Sequence, residues 1–456
     1  MPRSPQALES IRWDEVAREA TELLSRYIRI DTTNPPGGEA AAARFLQEVL
    51  ADEGLDAVQY DGAPGRANLI ARLDAEQPTC LPLLLLHHMD VVPATTSSWS
   101  LPPFGGVVSD GYVWGRGAID DKGLGTIQLM AFILLKRLRI RLERPVVLMA
   151  VADEEEGGPH GTRWMVEHHW ADIECEYVWD EGGIGSTGLM GDRPVFAVSV
   201  AEKRPMVVRL TASGTGGHGS IASSNTPIDR LVGALHSLQR RGTDLRFNDV
   251  TRAFFRRIAV TQRFPRSWIT RHAGSPLLRP LVRRSIDKIP SISAMLQDTV
   301  TVTVVRAGQK FNVAPESAEA VLDVRLLPDT DAGEFLGRLK RDIGDDSISV
   351  DADEKSAPTP PSSVDSDMFV AFEQAIPRHV PDAVVVPMQT PVATDSRIFR
   401  AKGVNAYGLI PAVLTPEELG SVHGVDERLS VESLVLGVKI ALDVVLRLCA
   451  EGTRES

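Results

Sequence analysis

The chain has 456 residues and a formal net charge of −12, with 43% apolar and 24% charged residues, a balance normal for a globular protein in water. That length exceeds what one ordinary core serves, so two domains are expected. The negative charge argues against nucleic acid or an acidic membrane surface as a partner, and three scattered cysteines (Cys80, Cys175, Cys449) argue against a disulfide framework.

In chain order, MPRSPQALESIRWDEVAREA has no apolar stretch of the secretory-signal kind, and no later run reaches the roughly 20 residues of a membrane span. A cytoplasmic, reducing location is therefore the expectation. Val16, Ala20, Leu23, Leu24, Tyr27 and Ile28 follow the helical period on one face. DTTNPPGGEA breaks that helix, and a second restarts at Glu39. Strands follow at ANLIARLD and LLLLHHMD, a helix at GTIQLMAFILLKRL, a strand at PVVLMAVAD, a helix at GTRWMVEHH and a strand at CEYVWDEGG. Alternating helices and apolar strands predict an α/β domain with a central mixed sheet covered on both faces.

From about Lys203 the pattern reads β-α-β-β-α-β, through PMVVRLTASG, TPIDRLVGALHSLQRR, TVTVTVVRAG, SAEAVLDVRLLP, DAGEFLGRLKRDI and SISVDA. This spells a ferredoxin-like α+β unit inserted into the first domain. The expected division is 1–202 and 357–456 for the α/β domain and 203–356 for the inserted one. An insertion over about 243–297, rich in Arg, Phe and Pro, is expected to pack as helices on the inserted domain. A Pro/Ser linker then leads back to the α/β part.

LLLLHHMDVVPA carries the chemistry. Four leucines suit a buried strand, yet it ends in His87, His88 and Asp90. Burying such groups unpartnered costs several kcal/mol, about 2–7 for a polar group and more for a charge. His88 and Asp90 share one face of the strand, where a carboxylate commonly orients a metal-bound imidazole. Acid clusters recur at strand or turn ends: Asp120 and Asp121 in WGRGAIDDKG, Asp153 to Glu156 in VADEEEGG, and Asp180 and Glu181 in VWDEGG. His423 precedes the last helix in SVHGVDERLS. Ligands of open α/β sheets sit at the carboxyl ends of strands, and imidazole with carboxylate suits zinc before cobalt or manganese.

These segments together resemble the co-catalytic dizinc metallopeptidases: HxDVVP at His88–Pro93, GRGxxDxKG at Gly115–Gly123, DEEEGG at Asp153–Gly158, DEGG, and the late His423. That family includes aminoacylase, bacterial glutamate carboxypeptidase, succinyl-diaminopimelate desuccinylase and carboxypeptidase S. The resemblance spans nearly the whole chain and implies a catalytic domain with an inserted lid or dimerisation domain. It implies His88 and Glu155 on different zinc ions, Asp120 bridging them, Glu181 (or its neighbour Asp180) completing the first, and His423 the second. Asp90 would orient His88, Glu154 would be the general base, and His218 in SGTGGHGS would stabilise the oxyanion, across a dimer interface in dimeric relatives. Asn312 and Arg325 would bind substrate, Arg325 by gripping the substrate's free carboxylate, while Arg397 and Gly408 resemble pocket-wall segments. A cis bond between Asp120 and Asp121 is also implied. The insertion looks most like the carboxypeptidase S branch, with its N-fatty-acyl-amino acid hydrolases. Its Phe254, Phe255, Phe264, Trp268, Leu277 and Leu278 would then offer an apolar surface to an acyl chain. The expected activity is zinc-dependent hydrolysis of an N-acyl amino acid or short peptide bearing a free carboxylate. The alternatives are an aminopeptidase or dipeptidase of the same family, or a metal-containing binding protein without catalysis.

Overall fold

The leucine-rich strand Leu83–His88 is buried along its whole length. It lies inside an eight-stranded mixed sheet in a computed structural model that describes residues 8, 11–187, 191, 193–221, 225–241, 244–354 and 357–452. The strand order is Ala57–Ala63, Arg66–Leu73, Val146–Val151, Leu83–His88, Tyr177–Ser186, Asn405–Leu414, Val195–Glu202, Val384–Thr390. Helices Trp13–Ile28, Lys122–Arg137, Asp367–His379 and Val431–Cys449 bury one face, and the predicted stripe of the first helix lies in that core. Against the other face pack Thr162–His168 and Ser396–Ala401, through Met165, Val166 and Phe399.

Arg204–Ser213, Thr299–Ala307, Ser317–Leu326 and Ile348–Glu354 build a second, four-stranded antiparallel sheet. Its spatial order places the first strand between the third and the fourth, as the ferredoxin-like connection demands. Pro227–Arg241 and Ala332–Ile343 bury one face of it in a separate core. The limits expected at 243 and 356 lie outside the described residues.

The insertion departs from expectation. Its helices Asp249–Ile258, Arg266–Arg271, Arg279–Ile286 and Pro290–Met295 build their core on the large sheet, not on the lid. Phe254, Phe255, Ile258, Val282, Ile286 and Met295 share that core with Val195, Ala197 and Val386. Alternation along the strands explains this: Phe196, Val198 and Val385 turn into the main core, so their neighbours need cover on the opposite face. The insertion is fastened at the junction of the two sheets. Lys203 Nζ donates to the carbonyls of Ala294 (3.2 Å) and Gln297 (2.9 Å), and Gln389 accepts from Asn248 (2.7 Å) and donates to the Met295 carbonyl (3.0 Å). Among the described residues, no helix is long and apolar enough to cross a membrane.

Candidate metal centre

Three parallel strands deliver the site. Register sets His88 level with Val151, so the turn holding Asp153, Glu154 and Glu155 emerges beside His88. Tyr177–Ser186 runs on the other side and carries Asp180 and Glu181 to the same rim. Asp120 arrives from the glycine turn, where Gly117 has φ +87° and a side chain would meet Val91 at 2.9 Å. The Asp120–Asp121 peptide bond is cis. His423 arrives from its loop with φ +57°, an uncommon backbone conformation for a residue with a side chain.

The two carboxylate oxygens of Asp120 face two different imidazoles. Oδ1 lies 2.9 Å from His88 Nε2 and Oδ2 lies 3.1 Å from His423 Nε2. Glu155 Oε1 is 3.3 Å from His423 Nε2, and Glu181 Oε1 is 3.8 Å from His88 Nε2. His88, Asp120 and Glu155 bring donor atoms within 4.8 Å of one another, as do His88, Glu154 and Glu181. Asp180 does not join them, because Ser396 donates to it through both its N–H and its hydroxyl, each at 2.8 Å.

Asp90 holds more than its histidine. Its backbone carbonyl lies 3.0 Å from His88 Nδ1, while its carboxylate accepts the N–H groups of Glu154 (3.0 Å) and Glu155 (3.1 Å) and the Asn34 amide (2.8 Å). One side chain thus fixes two adjacent acids. Sequence reasoning missed this second task, and it missed Glu427. That buried carboxylate accepts from Gly117 N, Ile119 N, Asp120 N and the Arg116 guanidinium, pinning the loop that presents Asp120. The only hint was its place in DER, four residues after His423. Asp395, in the ATDSR segment that resembles a pocket wall, is buried; Thr162 donates to it at 2.6 Å, and burial with Asp180 nearby pushes its carboxyl up to about 7.

The electrostatics call for added positive charge. Among the described residues, no lysine or arginine pairs with Asp120, Glu154, Glu155 or Glu181. Burial raises Asp120, but its bonds to His423 and His88 outweigh this and hold it below the usual carboxylate range. Bonds to Asp120 and then Glu155 push His423 up to about 10. Burial raises Glu154 and Glu181 well above the ordinary range, and neighbouring acids add to it. Glu155 Oε1 is buried without a well-formed hydrogen bond. A set of carboxylates and imidazoles whose donor atoms converge, with no lysine or arginine among them, fits divalent metal ions.

The remaining predicted residues supply no donor atom to these groups. His218 is exposed on the short strand Gly217–His218 of the lid, with Arg306 and Lys310 lining the same groove of about 900 Å³. Asn312 is exposed on the adjoining lid loop. Arg325 is half-buried on Ser317–Leu326 and paired with Asp323 at 2.9 Å. Arg397 donates to the Thr394 carbonyl at 3.1 Å. Gly408 is buried: a Cβ there would lie 1.9 Å from the Glu181 carbonyl oxygen, so its bareness lets its strand pair closely with the parallel strand that carries Glu181.

The family model described as Peptidase family M20/M25/M40 matches residues 84–447. The chain belongs to that family. It is a metallopeptidase-type hydrolase of amide bonds. The M20 chain is 30% identical over 445 residues to the N-fatty-acyl-amino acid synthase/hydrolase PM20D1 of Xenopus tropicalis, covering 94% of this chain and 85% of that protein. It is 27% identical to aminoacylase-1B of Rattus norvegicus, covering 96% and 97%. Its fold matches the M20 metallo-carboxypeptidase Sso-CP2 of Sulfolobus solfataricus with a TM-score of 0.71 at 19% identity, over 94% of this chain and 98% of that one.

Proposed function

We propose that the cluster holds two zinc ions and that the enzyme hydrolyses the amide of an N-acyl amino acid with a free carboxylate. The observation that carries this reading is Asp120, whose two oxygens each point to a different histidine. His88 and Glu181 would hold one ion, Glu155 and His423 the other, with Asp120 between them. Bound there, two dications supply the charge that polarises an amide carbonyl and acidifies water. Glu154 takes the proton of the attacking water and returns it to the leaving amine. Its position suits that exchange, since Asp90 fixes its backbone and burial raises its carboxyl well above the ordinary carboxylate range, which favours holding a proton in transit. Arg325 is our candidate for the substrate carboxylate, because its guanidinium fork matches a carboxylate in two places. We read 1–202 with 357–456 as the catalytic domain and 203–356 as a lid that pairs in a homodimer and lends His218 to a partner's site. No disulfide joins the three cysteines among the described residues, which fits a cytoplasmic enzyme.

The names of the relatives support N-acyl amino acids over free peptides. The test is a panel of acetyl, octanoyl and oleoyl groups on one amino acid, set against free-amine dipeptides. Hydrolysis of the N-acyl series, lost in all members by Arg325→Ala, is the expected result. Preference for free-amine dipeptides would turn the reading to a dipeptidase.

A further inference from the structure

Charge is divided unevenly along this chain. Residues 244–297 hold eleven lysines and arginines against three aspartates, while the whole molecule carries −12. The inward side of this segment is fully engaged, with Phe254, Phe255 and Ile258 sealed against the large sheet. Its outward side is unusual for a surface in water. Leu277 is 91% exposed, Phe264 83%, and Trp268 and Leu281 each 51%. Phe264, Ile269, Leu281 and Ile286 line one groove of about 700 Å³, with Arg263 and Arg266 beside them. Among the described residues, Arg263, Arg266, Arg271, Arg279 and Arg284 are all exposed and make no ion pair. None of the groove residues belongs to the acid–histidine cluster.

We propose that the outer face of the 244–297 insertion docks the enzyme on an anionic lipid bilayer. Large apolar side chains interleaved with arginines match what a membrane interface accepts: the rings and leucines enter the acyl boundary while the guanidinium groups stay among the head groups. Arginines without carboxylate partners complement anionic lipid, and the apolar side chains among them distinguish this face from a merely solvated basic one. The rest of the molecule, strongly acidic, is repelled by the same surface and so orients the docking. The docking is peripheral, since no described helix can span. The negative total, read alone, hides this face.

Co-sedimentation of the metal-loaded full chain with phosphatidylcholine vesicles, with and without about one-third phosphatidylglycerol, tests the assignment. The expected result is binding to the anionic vesicles, weakened by added salt, and little binding to the neutral ones. Arg263→Glu with Arg266→Glu should lower partitioning at least about tenfold. Phe264→Ser with Leu277→Ser should do the same. Both double variants should keep the melting temperature of the parent, because none of the four side chains lies in a core. Absence of binding to anionic vesicles overturns the proposal, as does binding that both variants leave unchanged. A change in the oligomeric state of the free protein on Phe264→Ser with Leu277→Ser would assign the face to a second copy instead, and would equally overturn it.

Discussion

Glu154 and Glu155 are chain neighbours tied by their N–H groups to the two oxygens of one carboxylate, yet only Glu155 lies against His423. Their substitutions should therefore separate. Glu154→Gln should keep both metal ions and lose about 10²–10⁴-fold in turnover, the usual worth of a general base. Glu155→Ala should lose one ion, and with it the stability that a ligand of the folded state confers. Elemental analysis beside steady-state kinetics checks both, and a metal-depleted Glu154→Gln protein would mean that the roles are exchanged. Protons give a second test at this scale. In the chelated protein His423 is pushed up to about 10 by Asp120 and Glu155, against about 6.5 unfolded. A raised pKa means that the folded state binds the extra proton between those values. Its stabilisation is whole below about pH 6.5 and is lost as pH rises toward about 10. The melting temperature of chelated protein should fall across that window. Metal must displace the same proton, so calorimetry in buffers of different ionisation enthalpy should show net proton release at neutral pH. Zero release would remove His423 from the ligand set.

Strand ends were legible in the sequence because their signal is local. An apolar run that stops at a histidine or an acid names both the element and the edge where it emerges, and the three such runs here do converge. The choice between Asp180 and Glu181 was not legible, since alternation says only that neighbours oppose each other. What favours Glu181 is a contact from far along the chain: Ser396, more than two hundred residues away, donates twice to Asp180. The insertion failed for the related reason that a helical stripe declares a buried face and leaves its cover unnamed. Its Phe254 is fully buried among side chains of the large sheet. Phe254→Ala should accordingly cost the whole molecule about 3–5 kcal/mol, as for aromatic truncations in a core. Urea denaturation of the metal-loaded chain measures it. A loss under about 1 kcal/mol would show that the segment contributes little to the catalytic core.

At the scale of the whole molecule, His218 and the metal cluster stand on different sheets, and no described contact joins them. The insertion could have covered the lid and kept it from pairing, but its core lies on the other sheet. The lid therefore keeps Ile228 and Val232 of Pro227–Arg241 exposed, along with Val305 of its edge strand Thr299–Ala307. An open strand edge beside apolar side chains is the kind of surface that a two-fold pairing uses. If a partner supplies His218, then His218→Ala and Glu154→Gln proteins, each inactive alone, complement each other when mixed. A mixed dimer has one site with both defects and one with neither. Random exchange makes half the dimers mixed, so activity should return to about one quarter of the parent value. Two differently tagged proteins allow exchange to be measured separately by co-purification. Exchange without recovered activity would place His218 in the service of its own chain, reached by closure of the lid, or of no site at all.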